Sequence, residues 1–142
     1  MILAADLGGT QSRLLLAEQR GGTLQPLRQT TLPSHHYSSV EALLEDFLQS
    51  EKPDCACIAA AGPVAGNRIQ LTNLPWQLDA LRIAQQFGIP RVHLLNDFTA
   101  QTFALPYLQP HQLCTLQPGT RDAQGTRALI GAGTGLGMAL LA

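Results

Sequence analysis

Two acids and two glycine turns hold the residues of this sequence best suited to chemistry. Asp6-Leu7-Gly8-Gly9-Thr10, with Arg13 close behind, gathers a carboxylate, two glycines, a hydroxyl and a cation. Glycine takes backbone angles closed to other residues, so the amides of Gly8 and Gly9 can approach a bound anion. Asp6 could hold a hydrated divalent cation there, and Thr10 or Arg13 could donate to phosphate oxygens. The stretch is not a P-loop, because no Lys-Ser/Thr follows the glycines and Leu14-Leu15-Leu16 reads as strand. Nor is it a dinucleotide fingerprint, which needs three spaced glycines opening a helix. An ordinary hairpin turn explains the same residues, so reading one half of a nucleotide-phosphate clamp depends on partners elsewhere in the chain.

The second acid is Asp97. Asn96-Asp97 falls where a strand over residues 91–95 turns into a helix over residues 98–105. A carboxylate at a helix start is often no more than a cap. Its company points further. Asp6, Gly62, Asn96 and Gly133 all sit at strand ends. Two phosphate-type turns, with an acid and several amides between them, fit phosphoryl transfer to a polyhydroxylated acceptor.

The elements that must position these residues can be read in order. An apolar run from Ile2 that ends at Asp6, the run Leu14-Leu15-Leu16 and residues 24–32 are strand-like and joined by short turns, an antiparallel meander. Residues 33–37 are a break. Ser38-Ser39 offers an N-cap, and Val40, Leu43, Leu44, Phe47 and Leu48 fall at helical spacing up to Ser50. Residues 55–61 are small and wholly apolar, which predicts a strand buried on both faces. They end in the loop Ala61-Gly62-Pro63-Val64-Ala65-Gly66, at a carboxyl strand end of the kind that binds ligands in open α/β sheets. Residues 67–71 suggest a short strand, and Asp79 to Phe87 a second helix closed by Gly88 and Pro90. Residues 109–125 read as a polar crossover. Two last strands, 126–130 and 138–141, flank Gly131-Ala132-Gly133-Thr134-Gly135-Leu136-Gly137. The order is βββ-α-β-α-β-α, followed by a hairpin that echoes the first.

At 142 residues the chain suits one domain with a real core and falls short of two full ones. Nine basic and ten acidic residues argue against a surface for nucleic acid or an anionic membrane. No apolar run could span a bilayer, and the start carries neither a basic segment nor a cleavage signal, so a cytoplasmic protein is expected. Cys55, Cys57 and Cys114 lie in apolar or strand-like settings and are expected as buried free thiols; Cys-x-Cys without a second ligand pair does not make a zinc site. His35 and His36 are expected in solvent, and His93 as a structural histidine of its strand.

Taken together, these motifs resemble the N-terminal part of the bacterial glucokinases, within the superfamily of sugar kinases, actin and Hsp70-type ATPases. The resemblance rests on five ordered stretches: Asp6-Leu7-Gly8-Gly9-Thr10 with Arg13, Ala61-Gly62-Pro63-Val64, Leu71-Thr72-Asn73-Leu74-Pro75-Trp76, Leu95-Asn96-Asp97-Phe98-Thr99-Ala100, and residues 131–137. It implies a ribonuclease H-like, actin-type α/β lobe with a mixed βββαβαβα sheet over residues 1–108. A crossover linker (109–125) and the opening hairpin of a truncated C-terminal lobe (126–142) would follow. The implied activity is ATP-dependent phosphorylation of glucose at its 6-hydroxyl, with ATP and Mg2+ as cofactors. By resemblance, Asp97 is the general base and Asn96 orients a neighbouring sugar hydroxyl. Asn73, Gly133 and Thr134 belong to the substrate side. Leu7, Gly8, Gly9, Thr10, Arg13 and Gly135 belong to the nucleotide side, and Asp6 orients Mg2+ through water. Trp76 is expected to pack in the core or its loop rather than stack on sugar.

Gln11-Ser12 stands where this family often shows Asn-Ala, and the family's second lobe has no counterpart here. The isolated chain is therefore expected to be an inactive fragment, with glucose and ATP as partners of the whole protein. Pairing of its terminal hairpin with a second copy is an open route to a homodimer. The rival readings are an N-acetylhexosamine or other hexose kinase of the repressor/kinase type, and a non-catalytic sugar sensor. The loop from Thr72 to Trp76 and Phe98 after Asp97 favour the glucokinase type.

Overall fold

The computed structural model describes residues 1–120, 122, 124–132 and 136–141. Strands β1 (Ile2–Leu7), β2 (Gln11–Arg20) and β3 (Thr23–Pro33) form the antiparallel meander. Gly21 and Gly22, at φ 57° and 81°, give β2 and β3 the paired positive angles that match a two-residue turn to strand twist. Helix α1 (Val40–Leu48) begins at Ser39, whose Oγ accepts from the Ala42 amide at 3.2 Å.

Strand β4 (Cys55–Ala60) runs parallel to β1. Three very short strands follow, β5 (Val64–Ala65), β6 (Arg68–Gln70) and β7 (Gln77–Asp79), which form a small antiparallel sheet of their own. Helix α2 (Ala80–Phe87) ends at Gly88 in the left-handed conformation. Strand β8 (Val92–Asn96) leads into α3 (Asp97–Ala104). The main sheet is mixed, in the order β3-β2-β1-β4-β8. The expected element order is present, with β5 and β7 added. Two- and three-residue strands are too short to show a period, which hid them in the sequence.

One face of this sheet is the core. Register rows such as Leu16–Leu3–Ala56–Val92 and Leu14–Ala5–Ile58–Leu94 point the same way. They are buried in one cluster with Val40, Leu43, Leu44 and Phe47 of α1 and Ile83 of α2. The opposite face differs from expectation. Cys57 and His93, cross-strand neighbours, are both exposed there, and Cys55 is half-buried. Cys114 is exposed as well. The thiols are thus not uniformly buried, and β4 is not covered on both sides. Alanine and cysteine are small and apolar enough to sit on either face, so their run carried no phase from which to read sidedness.

The chain divides into two compact units, Met1–Asp97 and Phe98–Ala142. The second contains most of α3, single turns of 3-10 helix at Leu105–Tyr107 and Pro110–Gln112, and the antiparallel hairpin β9 (Arg127–Ala132) and β10 (Leu136–Leu141). Ile130, Leu136, Met138 and Leu140 are exposed on one hairpin face. On the other, the Phe98 ring lies against Gly131 and Gly137, which pair across the strands. A Cβ on Gly137 would fall 2.2 Å from the ring.

Asp79 ties the small sheet to α2. Its Oδ2 accepts from Arg68 Nε at 2.6 Å, and its Oδ1 from the Leu81 and Arg82 amides at 3.0 and 3.3 Å. The Arg68 hydrogen bond first, then the amides, hold this carboxyl below its ordinary value. A depressed carboxylate stabilises the fold above its unfolded-state pKa of about 3.9, and that stabilisation is lost as pH falls through the lower folded value. Asp79→Asn keeps an acceptor for the amides but not the charge. Urea midpoints are expected to be lower for the variant at pH 7, with the gap from the parent closing as pH falls below about 4. A gap independent of pH would show that the charge of Asp79 does not contribute.

Candidate functional site

Three parallel strands end in one row. Leu7 of β1 pairs with Ala60 of β4, and Ala60 with Asn96 of β8. Gly8, Ala61-Gly62 and Asp97 therefore leave the sheet side by side at its carboxyl edge, where open α/β sheets place ligands. Tertiary contacts then join loops that are distant in sequence. Asn96 Nδ2 donates to the Gly62 carbonyl at 3.1 Å. The Thr72 amide donates to the Ala61 carbonyl at 3.2 Å. Asn73 lies against Gly9, its Cβ 2.7 Å from where a Gly9 Cβ would be. The structure thus brings Gly8, Gly9, Gly62, Asn73 and Asn96 into one constellation, with Asp97 at the head of α3. Thr10 follows Gly9 on the same turn, exposed.

The glycine turn is built differently from the sequence expectation. Neither Gly8 nor Gly9 has a positive φ. What requires glycine is room: a Cβ on Gly8 would lie 2.7 Å from the Gln11 carbonyl oxygen, and one on Gly9 would run into Asn73. The Gly8 amide donates to the Gln11 carbonyl at 3.1 Å, and Ser34 supports the turn from below. The Ser34 amide donates to the Thr10 carbonyl at 3.0 Å, and its Oγ to the Gly8 carbonyl at 2.7 Å. Ser12 Oγ lies 2.9 Å from Ser34 Oγ, and both serines are fully buried. Sequence reasoning passed over Ser34, which sits in a stretch read as a break. A serine between a proline and two histidines gives no sign of where its hydroxyl will point.

Asp6 and Arg13 face each other across β1 and β2, with Arg13 Nη1 3.3 Å from Asp6 Oδ2 and both side chains more than half exposed. Such a pair contributes little to stability and is easily rearranged by a ligand. Leu7, between Asp6 and the turn, buries its side chain in the core, so only its backbone can face a ligand. Trp76 is also buried in the core, as expected, and its carbonyl accepts from Gln70 Nε2 at 3.2 Å. Gly133, Thr134 and Gly135 lie outside the described residues. Among the described residues no group of three or more His, Cys, Asp or Glu side chains could hold a metal ion. One carboxylate beside a phosphate turn nonetheless suits Mg2+, which keeps most of its waters and is carried largely by phosphate oxygens. Asp6 is the residue that would hold it through water. Among the described residues no helix is long and apolar enough to cross a membrane.

A glucokinase family profile matches residues 3–142. A glucokinase of Nostoc sp. is 38% identical over 146 aligned positions, which take in 99% of this chain and 43% of that protein. The crystal structure of a glucokinase from an Antarctic psychrotroph superposes with a TM-score of 0.86 at 33% identity, over 99% of this chain and 45% of that one. A ROK family protein from Streptococcus pneumoniae, at 19% identity and a TM-score of 0.66, shares the fold. The chain spans less than half the length of these relatives. The family match along residues 3–142, with relatives above 30% identity over nearly the whole chain, places this chain in the glucokinase family.

Proposed function

We propose that this chain supplies the general base and the first phosphate turn of an ATP-dependent kinase that phosphorylates glucose at its 6-hydroxyl. The lobe would be of the ribonuclease H-like, actin type. The observation that carries the reading is the row of strand ends Leu7–Ala60–Asn96, which sets the glycine turn beside Asn96-Asp97. In the reaction, the sugar O6 attacks the γ-phosphorus, the bond from that phosphorus to the bridging oxygen breaks, and ADP leaves with the electron pair. The O6 proton passes to Asp97. Phosphoryl transfer runs through a loose transition state, so an oriented carboxylate of ordinary basicity suffices. Asn96, itself held by the Gly62 carbonyl, would fix a neighbouring hydroxyl. The Gly9 and Thr10 segment would approach the nucleotide phosphates with Arg13; by resemblance, Gly133 and Thr134 belong to the substrate side and Gly135 to the nucleotide side. When bound, Mg2+ would neutralise charge on the phosphates.

This reading makes the whole protein a cytoplasmic, glycolytic enzyme with glucose and ATP as partners. The 142-residue chain alone would be inactive, since one side of a cleft cannot preorganise a transition state. The test is sugar-dependent ADP release by the full-length gene product with glucose, mannose, fructose and N-acetylglucosamine. Turnover selective for glucose is expected. Selectivity for N-acetylglucosamine would move the protein to the hexosamine kinases, and no turnover with any sugar would leave a sensor of the same fold.

A further inference from the structure

β1 and β2 pair as far as Leu7 and Ser12, so Gly8-Gly9-Thr10-Gln11 closes them as a four-residue loop, spanned by the Gly8 amide on the Gln11 carbonyl. Hairpin loops of this length are most often built around a type I turn, which needs no positive φ at its central positions. No residue of this loop has one, whereas Gly21 and Gly22, in the next turn of the same meander, both do. Ser34, from outside the hairpin, ties this loop to the core. It contacts the loop twice, through its amide to Thr10 and its hydroxyl to Gly8.

The proton count orders the chain of hydroxyls. Ser34 spends its one hydroxyl hydrogen on the Gly8 carbonyl, so in the 2.9 Å contact between the serines Ser12 is the donor. Ser12 donates to Ser34, and Ser34 to Gly8. Consecutive hydrogen bonds of this kind polarise one another where water is excluded. The Gly8–Gly9 peptide is planar and trans, so its carbonyl and its N–H point in opposite directions. With the carbonyl drawn towards buried Ser34, the Gly9 N–H points the opposite way, away from Ser34.

We infer that Ser34 is a positioning residue: by holding the Gly8 carbonyl inward, relayed from Ser12, it aims the Gly9 amide at a nucleotide phosphate. This rests on the kinase reading above. The pair is not needed to fill space, since apolar residues of similar size would bury at less desolvation cost. What two buried hydroxyls add is direction.

The test compares Ser34→Ala and Ser12→Ala in the full-length gene product and follows the Gly9 amide by NMR of the same protein labelled with 15N-glycine. Ser34→Ala is expected to raise the KM for ATP about 5- to 10-fold, the scale of one hydrogen bond, and to leave the KM for glucose within about 2-fold. Ser12→Ala, which keeps the bond to Gly8, should move the ATP value in the same direction and by less. In both forms the Gly9 amide shift should change, most in Ser34→Ala. Equal increases in both KM values would mean a merely structural role, and an unchanged Gly9 amide would overturn the inference. If the parent protein turns over no sugar, the kinase reading fails separately. The Gly9 amide response to Ser34→Ala and its perturbation by MgATP titrated into the full-length protein then decide this inference, and no perturbation in the parent protein would end it.

Discussion

Asp97→Ala in the full-length gene product is expected to lower kcat with glucose by about 10²–10⁴-fold, the range that a positioned general base contributes. The KM for glucose should change far less, because Asn96 and its bond to the Gly62 carbonyl remain. Asp97→Asn is the sharper comparison. It keeps the shape and a carbonyl oxygen for orienting the hydroxyl but cannot take its proton. If orientation were the whole contribution, Asn would retain most of the activity; under the mechanism proposed here it falls nearly as far as Ala. Steady-state kinetics on both variants separates the two. Turnover indifferent to either substitution would remove Asp97 from the chemistry and with it the proposed mechanism.

Gly62→Ala is expected to cost on the order of 3 kcal/mol, read as a lower urea midpoint. At φ 157°, the Gly62 position would put a Cβ 2.5 Å from the Gln70 carbonyl oxygen and 3.0 Å from the Ile69 side chain. Backbone cannot swing aside as a flexible side chain can, so β6 and the loop at the end of β4 must separate. Gly66→Ala is the control. That residue has φ 56° with nothing within 4 Å of the Cβ position, so only conformational strain of about 1 kcal/mol is expected. Equal losses at both sites would show that crowding at Gly62 is relieved at no cost. A further consequence is local. Because the Gly62 carbonyl holds Asn96, the substitution should shift the Asn96 side-chain resonances more than those of Asn67, across the same loop.

These two residues also mark how far the sequence could be read. Asp97 was legible because a strand-to-helix junction is a local signal: an apolar run, a polar pair, then helical spacing. The same holds for the Ser39 cap of α1 and for Gly88, which closes α2. Gly62 could be recognised as part of a loop at a strand end. Its steric dependence on Gln70 could not, since the crowding is created by a strand eight positions away folding back on it.

The sequence by itself determined the order of the main elements, the mixed α/β character of the fold and the family. The element order rests on short-range chemistry, periodicity and caps; the family, and with it the mixed sheet, came from the resemblance of five ordered motifs. Tertiary structure decided what depends on contacts between distant segments. It decided that one face of β4 leaves Cys57 exposed, that Gly8 and Gly9 are required for space instead of angle, and that Asn73 lies against the first turn. It also brought Ser34 beneath that turn, 26 residues along the chain from Gly8. A serine hydroxyl acquires a direction only when the surrounding core excludes water and leaves it one acceptor. That constraint belongs to the packed fold, and no local pattern of residues encodes it.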